Sequence, residues 1–184
     1  MALRQENIRR LISLSLLAIL IAVFSLTSDY FLTPQNIFAF LRDASVTGIL
    51  AVGVTFVIIT AGIDLSTGAL SALAAMAMAN FLFYLPGVPV WAVCLLSVLI
   101  GALGGYMNGM VITRLHLPDF IATLAGQGIF RGLTMLFAIR VAGRIRNQVI
   151  KNNTFLQLSG NLGGLFFVTI VFFAMVVIGQ LLLK

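Results

Sequence analysis

The sequence predicts an all-α fold, a polytopic transmembrane helix bundle of about six spans, and three observations carry that expectation. Of 184 residues, 61% are hydrophobic and 9% are charged, and the mean hydropathy is +1.14, the composition of an integral membrane protein. Between Asp43 and Arg114 the only formally charged side chain is Asp64, which leaves uncharged runs of 20 and 49 residues on its two sides. A bilayer core of roughly 30 Å takes about 20 helical residues, so the first run is one span and the second is two. A β-barrel would instead alternate apolar and polar residues in segments of about 10.

The spans follow in order, and residues 1–184 form a single transmembrane domain. The first, 11–28, is preceded by Arg4, Arg9 and Arg10 against one acid, Glu6, and this positive bias places the N-terminus in the cytoplasm. A cleaved signal peptide would have a similar layout, but the apolar stretch is long and no A-x-A-like site follows it. Pro34 breaks the chain after this span. The second and third spans, 44–63 and 66–85, are separated by a turn holding Asp64. Pro86-Gly87-Val88-Pro89 divides the third from the fourth, 90–113, and Tyr84 and Trp91 flank that loop as amphipathic rings do at the headgroup level. Pro118 precedes the fifth, 120–139, which Gln127 and Arg131 interrupt, and the sixth is 162–183. Six crossings return Lys184 to the cytoplasm. Arg114 and His116 then fall inside, as the positive-inside rule prefers, whereas Arg140, Arg144, Arg146 and Lys151 fall outside, against it. Either that basic loop dips back or lies on the surface, or one span is a re-entrant pair.

Catalytic constellations are scarce. One histidine, His116, and one cysteine, Cys94, cannot supply the usual zinc spacings. Neither Lys151 nor Lys184 follows the glycine pattern of a phosphate-binding loop. A membrane-embedded enzyme needs several ionisable groups at one depth, and the sequence offers at most Asp64 and Arg131. The chain is therefore not expected to be an enzyme or to hold a metal or cofactor. Cys94, mid-span, reads as a small hydrophobe, and His116 as an interfacial loop residue. The net charge of +6 suits anionic lipid headgroups rather than nucleic acid.

Helices in lipid associate through close approach of small residues. Gly101, Gly105 and Gly109 recur every four residues on span four, as do Ser71, Ala75 and Ala79 on span three, with Gly128 and Gly132 on span five. These faces predict helix packing. The polar residues beside them need a further reason, because a charge at a helix centre costs on the order of 3 kcal/mol on insertion scales. Asp64 or Ser66 can cap the following helix through its exposed backbone N–H groups, and this is compatible with a functional role where the helix start itself lies in a cavity. Arg131 is the natural counterpart of Asp64. Thr123, Gln127 and Arg131 recur every four residues with Thr134 three further on, a polar stripe that points to the bundle interior, where Asn108 could face it. Snorkelling of Arg131 toward an interface is the alternative.

"GVTFVIITAGIDLSTGALSALAA" and "GALGGYMNGMVITRLHLPDFIATLAGQGIFRGL" resemble the membrane permeases of bacterial ABC importers for ribose and other monosaccharides, a group that includes autoinducer-2 permeases. Three blocks agree in order and spacing: Gly-Ile-Asp-Leu-Ser at 62–66, Asn-Gly at 108–109, and "PDFIATLAGQGIFRGL" at 118–133. Residues 31–53 are also similar, so the resemblance covers most of 31–133. Members commonly have two glycines before Ile-Asp, where this chain has Ala61-Gly62. They also run to roughly twice this length, with an ATPase-docking cytoplasmic loop in the second half, so the chain looks like the N-terminal half of a permease, lacking that loop.

The resemblance implies a multi-pass protein of the bacterial inner membrane that does no chemistry itself. A periplasmic sugar-binding protein would deliver solute to a permease dimer, and cytoplasmic ATPase subunits would use ATP to switch its access. Thr60, Asp64, Ser66, Asn108, Thr123, Gln127 and Arg131 are the candidates for a pathway or gating role, with Asp64 and Asn108 lying in the matching motifs. A truncated, non-transporting membrane remnant, or one half of a split permease, would present the same residues.

Overall fold

In the computed structural model, which describes residues 2–85, 87–140, 161–162 and 165–183, the uncharged runs become helices. These are α1 (Ala2–Thr27), α2 (Pro34–Ile59), α3 (Thr67–Tyr84), α4 (Val90–Leu115), α5 (Asp119–Arg140) and α6 (Phe167–Leu182), with two short strands, β1 (Asn161–Leu162) and β2 (Leu165–Phe166), before the last. Helices α1 to α5 are each long and apolar enough to cross a membrane, while α6, at 16 residues, is a shorter apolar helix. The chain divides into two units, Met1–Ala44 and Ser45–Lys184.

Two boundaries differ from the expected ones. Helix α2 starts at Pro34, ten residues before the expected 44, because a helix does not stop where charge begins; Arg42 and Asp43 simply ride on its first turns. Proline is well suited to the first helical position, where its missing N–H costs no bond. Thr33 caps this start: its Oγ1 accepts from the Asn36 N–H at 3.3 Å and donates to the Tyr30 carbonyl at 2.8 Å. The helix expected from 162 begins at Phe167, since Asn161 and Leu162 pair antiparallel with Phe166 and Leu165. The basic loop that conflicts with the charge rule falls, from residue 141 to residue 160, outside the described residues.

In the first unit, polar side chains of α1 turn back onto their own helix. The Ser25 and Thr27 hydroxyls donate to the Ile21 and Val23 carbonyls at 2.7 and 2.8 Å, satisfying in place groups that lipid could not.

In the second unit, α3 packs most heavily on α5 and next on α4. Ala69, Leu73 and Phe130 form one buried cluster with Leu70 and Ile100 against it. Leu82, Val90 and Val93 form another, with Met78, Phe81 and the half-buried Cys94 alongside. The close approach of α4 is made by Gly104: a Cβ there would collide with Leu70 Cδ1 and lie 3.2 Å from Phe130 Cζ. The face expected to pack, Gly101, Gly105 and Gly109, makes no such contact, since a Cβ on any of them would meet nothing within 4 Å. The same is true of Gly128 and Gly132 on α5. Gly104 and Asn108, four residues apart, share the face turned to α3 and α5, and the three-glycine row lies about 100° around the helix from it. Elsewhere in this unit the later part of α2 packs on α6. Ser45 Oγ donates to Thr169 Oγ1 at 3.1 Å, and the ring of Phe172 occupies the space where a Gly48 side chain would go.

Candidate functional site

The Ile59-to-Thr67 connection sits where α3, α4 and α5 meet, and its shape begins with how α2 ends. The Ala61 N–H donates to the Ile58 carbonyl at 2.9 Å and the Gly62 N–H to the Val57 carbonyl at 2.9 Å, the paired bonds of a Schellman motif. That motif needs a left-handed residue at its centre, and Ala61 takes it with φ 58°, a conformation that costs a residue with a Cβ roughly 1–2 kcal/mol. Gly62 follows in tight space, where a Cβ would stand 3.1 Å from Asp119 Oδ2 and 3.3 Å from the Val57 carbonyl. The small residues before Ile-Asp thus have a geometric reason.

The chain then passes Asp64 and reaches Ser66, which is fully buried. Asp64 Oδ1 accepts from both the Ser66 N–H and the Ser66 hydroxyl, each at 2.7 Å. Having given its one proton to the carboxylate, Ser66 Oγ can only accept from Asn108, whose Nδ2 lies 2.7 Å away across the helix interface. This direction fixes the Asn108 amide, and its Oδ1 faces Gly126, where a Cβ would come within 2.5 Å of it. A third helix joins through Thr123, which is buried and whose Oγ1 shares its one proton between the Asp119 carbonyl at 2.8 Å and the Ile63 carbonyl at 3.2 Å. The result is a latch in which Asp64, Ser66 and Asn108 form a chain of hydrogen bonds from the turn to α4, with Thr123 hooking α5 to the same turn.

The latch replaces the capping role expected for Asp64 or Ser66. Ser66 is the N-cap residue of α3 but makes no side-chain cap bond, because its hydroxyl is spent on Asp64 and Asn108. The carboxylate bonds two residues on, ahead of the helix, in an Asx-type turn. Of the other candidates, Thr60 stays apart, its hydroxyl donating to the Val57 carbonyl at 2.8 Å on the exposed side of the turn. Gln127 and Arg131 lie further along α5 and line, with Thr134, a separate hollow of about 330 Å³ against Leu65, Gly68 and Ala72. No ion pair joins Arg131 to Asp64 among the described residues, and the expected pairing of the two is not made. Two participants escape sequence reading. Ile63 acts through its backbone carbonyl, which no side-chain pattern reveals. Gly126 belongs to no four-residue glycine row, yet only the absence of a side chain there admits the Asn108 amide. Thr67 Oγ1 is buried without a hydrogen bond among the described residues. No group of three or more metal-ligating side chains occurs among the described residues.

The family model described as branched-chain amino acid transport system / permease component matches residues 36–184. A ribose import permease protein of Bacillus subtilis (strain 168) is 44% identical over 122 residues, 66% of this chain and 37% of that protein. A D-allose transport system permease protein of Escherichia coli (strain K12) is 42% identical over 125 residues, 67% of this chain and 38% of that protein. An autoinducer 2 import system permease protein of Photorhabdus luminescens is 31% identical over 131 residues, 71% of this chain and 39% of that protein. The chain therefore spans well under half the length of the curated relatives it matches. No solved structure matches it. Because the family match covers most of the chain, this protein belongs to the family described as the permease component of branched-chain amino acid transport systems.

Proposed function

We propose that the chain is part of the membrane permease of a binding-protein-dependent ABC importer that carries a monosaccharide such as ribose or a related small sugar. The observation that carries this reading is the level of identity to permeases whose names specify ribose and allose, 44% and 42% across about two thirds of the chain. The residues support a conduit rather than a reaction centre, since the polar groups that converge at the 60–66 turn satisfy one another. In this reading the partners are a periplasmic sugar-binding protein, cytoplasmic ATPase subunits that consume ATP, and a second permease copy, in a bacterial inner membrane with the N-terminus in the cytoplasm. Asp64, Ser66, Asn108 and Thr123 then act in gating, by holding α3, α4 and α5 in one arrangement. Gln127, Arg131 and Thr60 are the remaining candidates for the route itself.

The family description favours a second substrate class, branched-chain amino acids, and one experiment separates the two. The native gene is expressed with its neighbouring transport genes in cells lacking their own sugar and leucine importers. Uptake of labelled ribose and allose, dependent on the binding protein and lost when the ATPase is inactivated, is the expected result. Uptake of leucine alone, or of neither class, overturns the sugar reading.

A further inference from the structure

The hollow between α3 and α5 has two unlike walls. Gly68 and Ala72 make the α3 side low and open, while Gln127 and Arg131 project from α5. The neighbouring Thr134 hydroxyl is already committed to the Phe130 carbonyl at 2.8 Å, but Gln127 and Arg131 make no hydrogen bond or ion pair among the described residues. At 1.5 Å per residue Arg131 lies about 18 Å along α5 from Asp119 and about 14 Å from Arg140, too far from either end for its head group to reach. A guanidinium at that depth is stable beside water or a polar partner and not beside lipid tails. A guanidinium offers a planar fork of donors and a carboxamide offers both donors and an acceptor, so the two together match adjacent hydroxyls, which donate and accept. Leu65, on the hollow's edge, directly precedes the latched Ser66, so the latch fixes the α3 wall.

We infer that this hollow is a hydrated station on the solute route, where Gln127 and Arg131 hydrogen-bond the hydroxyls of a passing sugar. The inference rests on the permease reading above. It is tested in vesicles carrying the complete transporter in a Cys94→Ser background, with a single cysteine introduced at Gln127 or, as control, at Ile129, which is exposed on the other side of α5. Thiolate forms in water and not in lipid, so a membrane-impermeant thiol reagent is expected to modify Gln127→Cys about tenfold faster than Ile129→Cys. Ribose or allose is expected to slow the first reaction and leave the second unchanged. Arg131→Met is expected to raise the KM for sugar uptake, with Arg131→Lys recovering part of the loss. Equal labelling of the two positions overturns the inference. So does labelling at Gln127→Cys that sugar does not slow in vesicles that do transport sugar, which leaves the permease reading intact. Protection by ribose 5-phosphate and not by ribose overturns it by making this an anion site. If wild-type vesicles take up no sugar, the permease reading falls and the sugar assignment falls with it.

Discussion

Ser66 occupies a position where three unlike demands meet. Its N–H and hydroxyl both serve Asp64, its oxygen receives Asn108, and its burial is complete. A hydrogen bond between helices in a membrane is worth about 0.6 kcal/mol on average and about 1.7 at most, so no single bond here dominates. Removing the hydroxyl, however, takes away two at once and leaves the Asn108 N–H without an acceptor. Ser66→Ala is therefore expected to lower unfolding free energy by about 1–2 kcal/mol. Thr123→Val loses one long bond across the interface and one within α5, and is expected to cost about 0.5 kcal/mol. Denaturation in mixed detergent micelles measures both, and a Thr123→Val loss equal to or above that of Ser66→Ala would show that the latch is not centred on Ser66. Asp64 was legible from charge alone, as the sole acid in a long uncharged interval. The bond between Asn108 and Ser66 was not, because the two are 42 residues apart and no periodicity links them.

At the scale of elements, the sequence located the helices well and their faces poorly, for one physical reason. Uncharged length reports how much chain can sit in lipid, so α3 and α4 emerge close to their expected limits. It does not report where a helix ends, so α2 runs ten residues beyond the estimate on a Thr-Pro start. Glycine spacing reports that a helix has a smooth face, but the approach is made where neighbours actually lie. On α4 that is Gly104, one face around from the regular row of Gly101, Gly105 and Gly109. On α5 it is Gly126, against the Asn108 amide, rather than Gly128 or Gly132. Substituting alanine separates the two kinds of glycine. Gly126→Ala must push the Asn108 side chain out of line with Ser66 and is expected to destabilise by about 1–3 kcal/mol, the range for overpacking. Gly105→Ala meets nothing and is expected to change this chain's own stability by no more than about 1 kcal/mol, in the favourable direction that helix propensity gives. Thermal unfolding of the two variants in the same detergent decides it, and equal destabilisation would mean that the regular row packs within the chain.

For the whole molecule, the direction of the helices ties the latch to one side of the membrane. Helices α3 and α5 run the same way: Thr123 meets Ile63 near their starts, and Phe137 lines a common hollow with Ala77 and Phe81 near their ends. Helix α4, which connects them in sequence, runs back the opposite way, and its last residue, Leu115, lies about 10 Å beyond Asn108 along the helix axis. The 60–66 turn is therefore set in from the end of α4, on the same side as Arg114 and His116. Irregular backbone at that depth is tolerated where protein or a water-filled cavity covers it, which agrees with a latch on one flank and a hydrated hollow on the next. In the proposed orientation, with the N-terminus in the cytoplasm, the Arg114 side is cytoplasmic, which puts the latch in the inner half of the bilayer and the Gly87 loop, with Tyr84 and Trp91 beside it, at the outer face. Reporter fusions test this directly. A reporter active only outside the cytoplasm is expected to work after Gly87 and to fail after Leu117, and one active only in the cytoplasm to do the reverse. The opposite pattern would place the latch at the outer mouth. In the permease reading proposed above, a gate formed there would close behind the solute's entrance rather than before its exit.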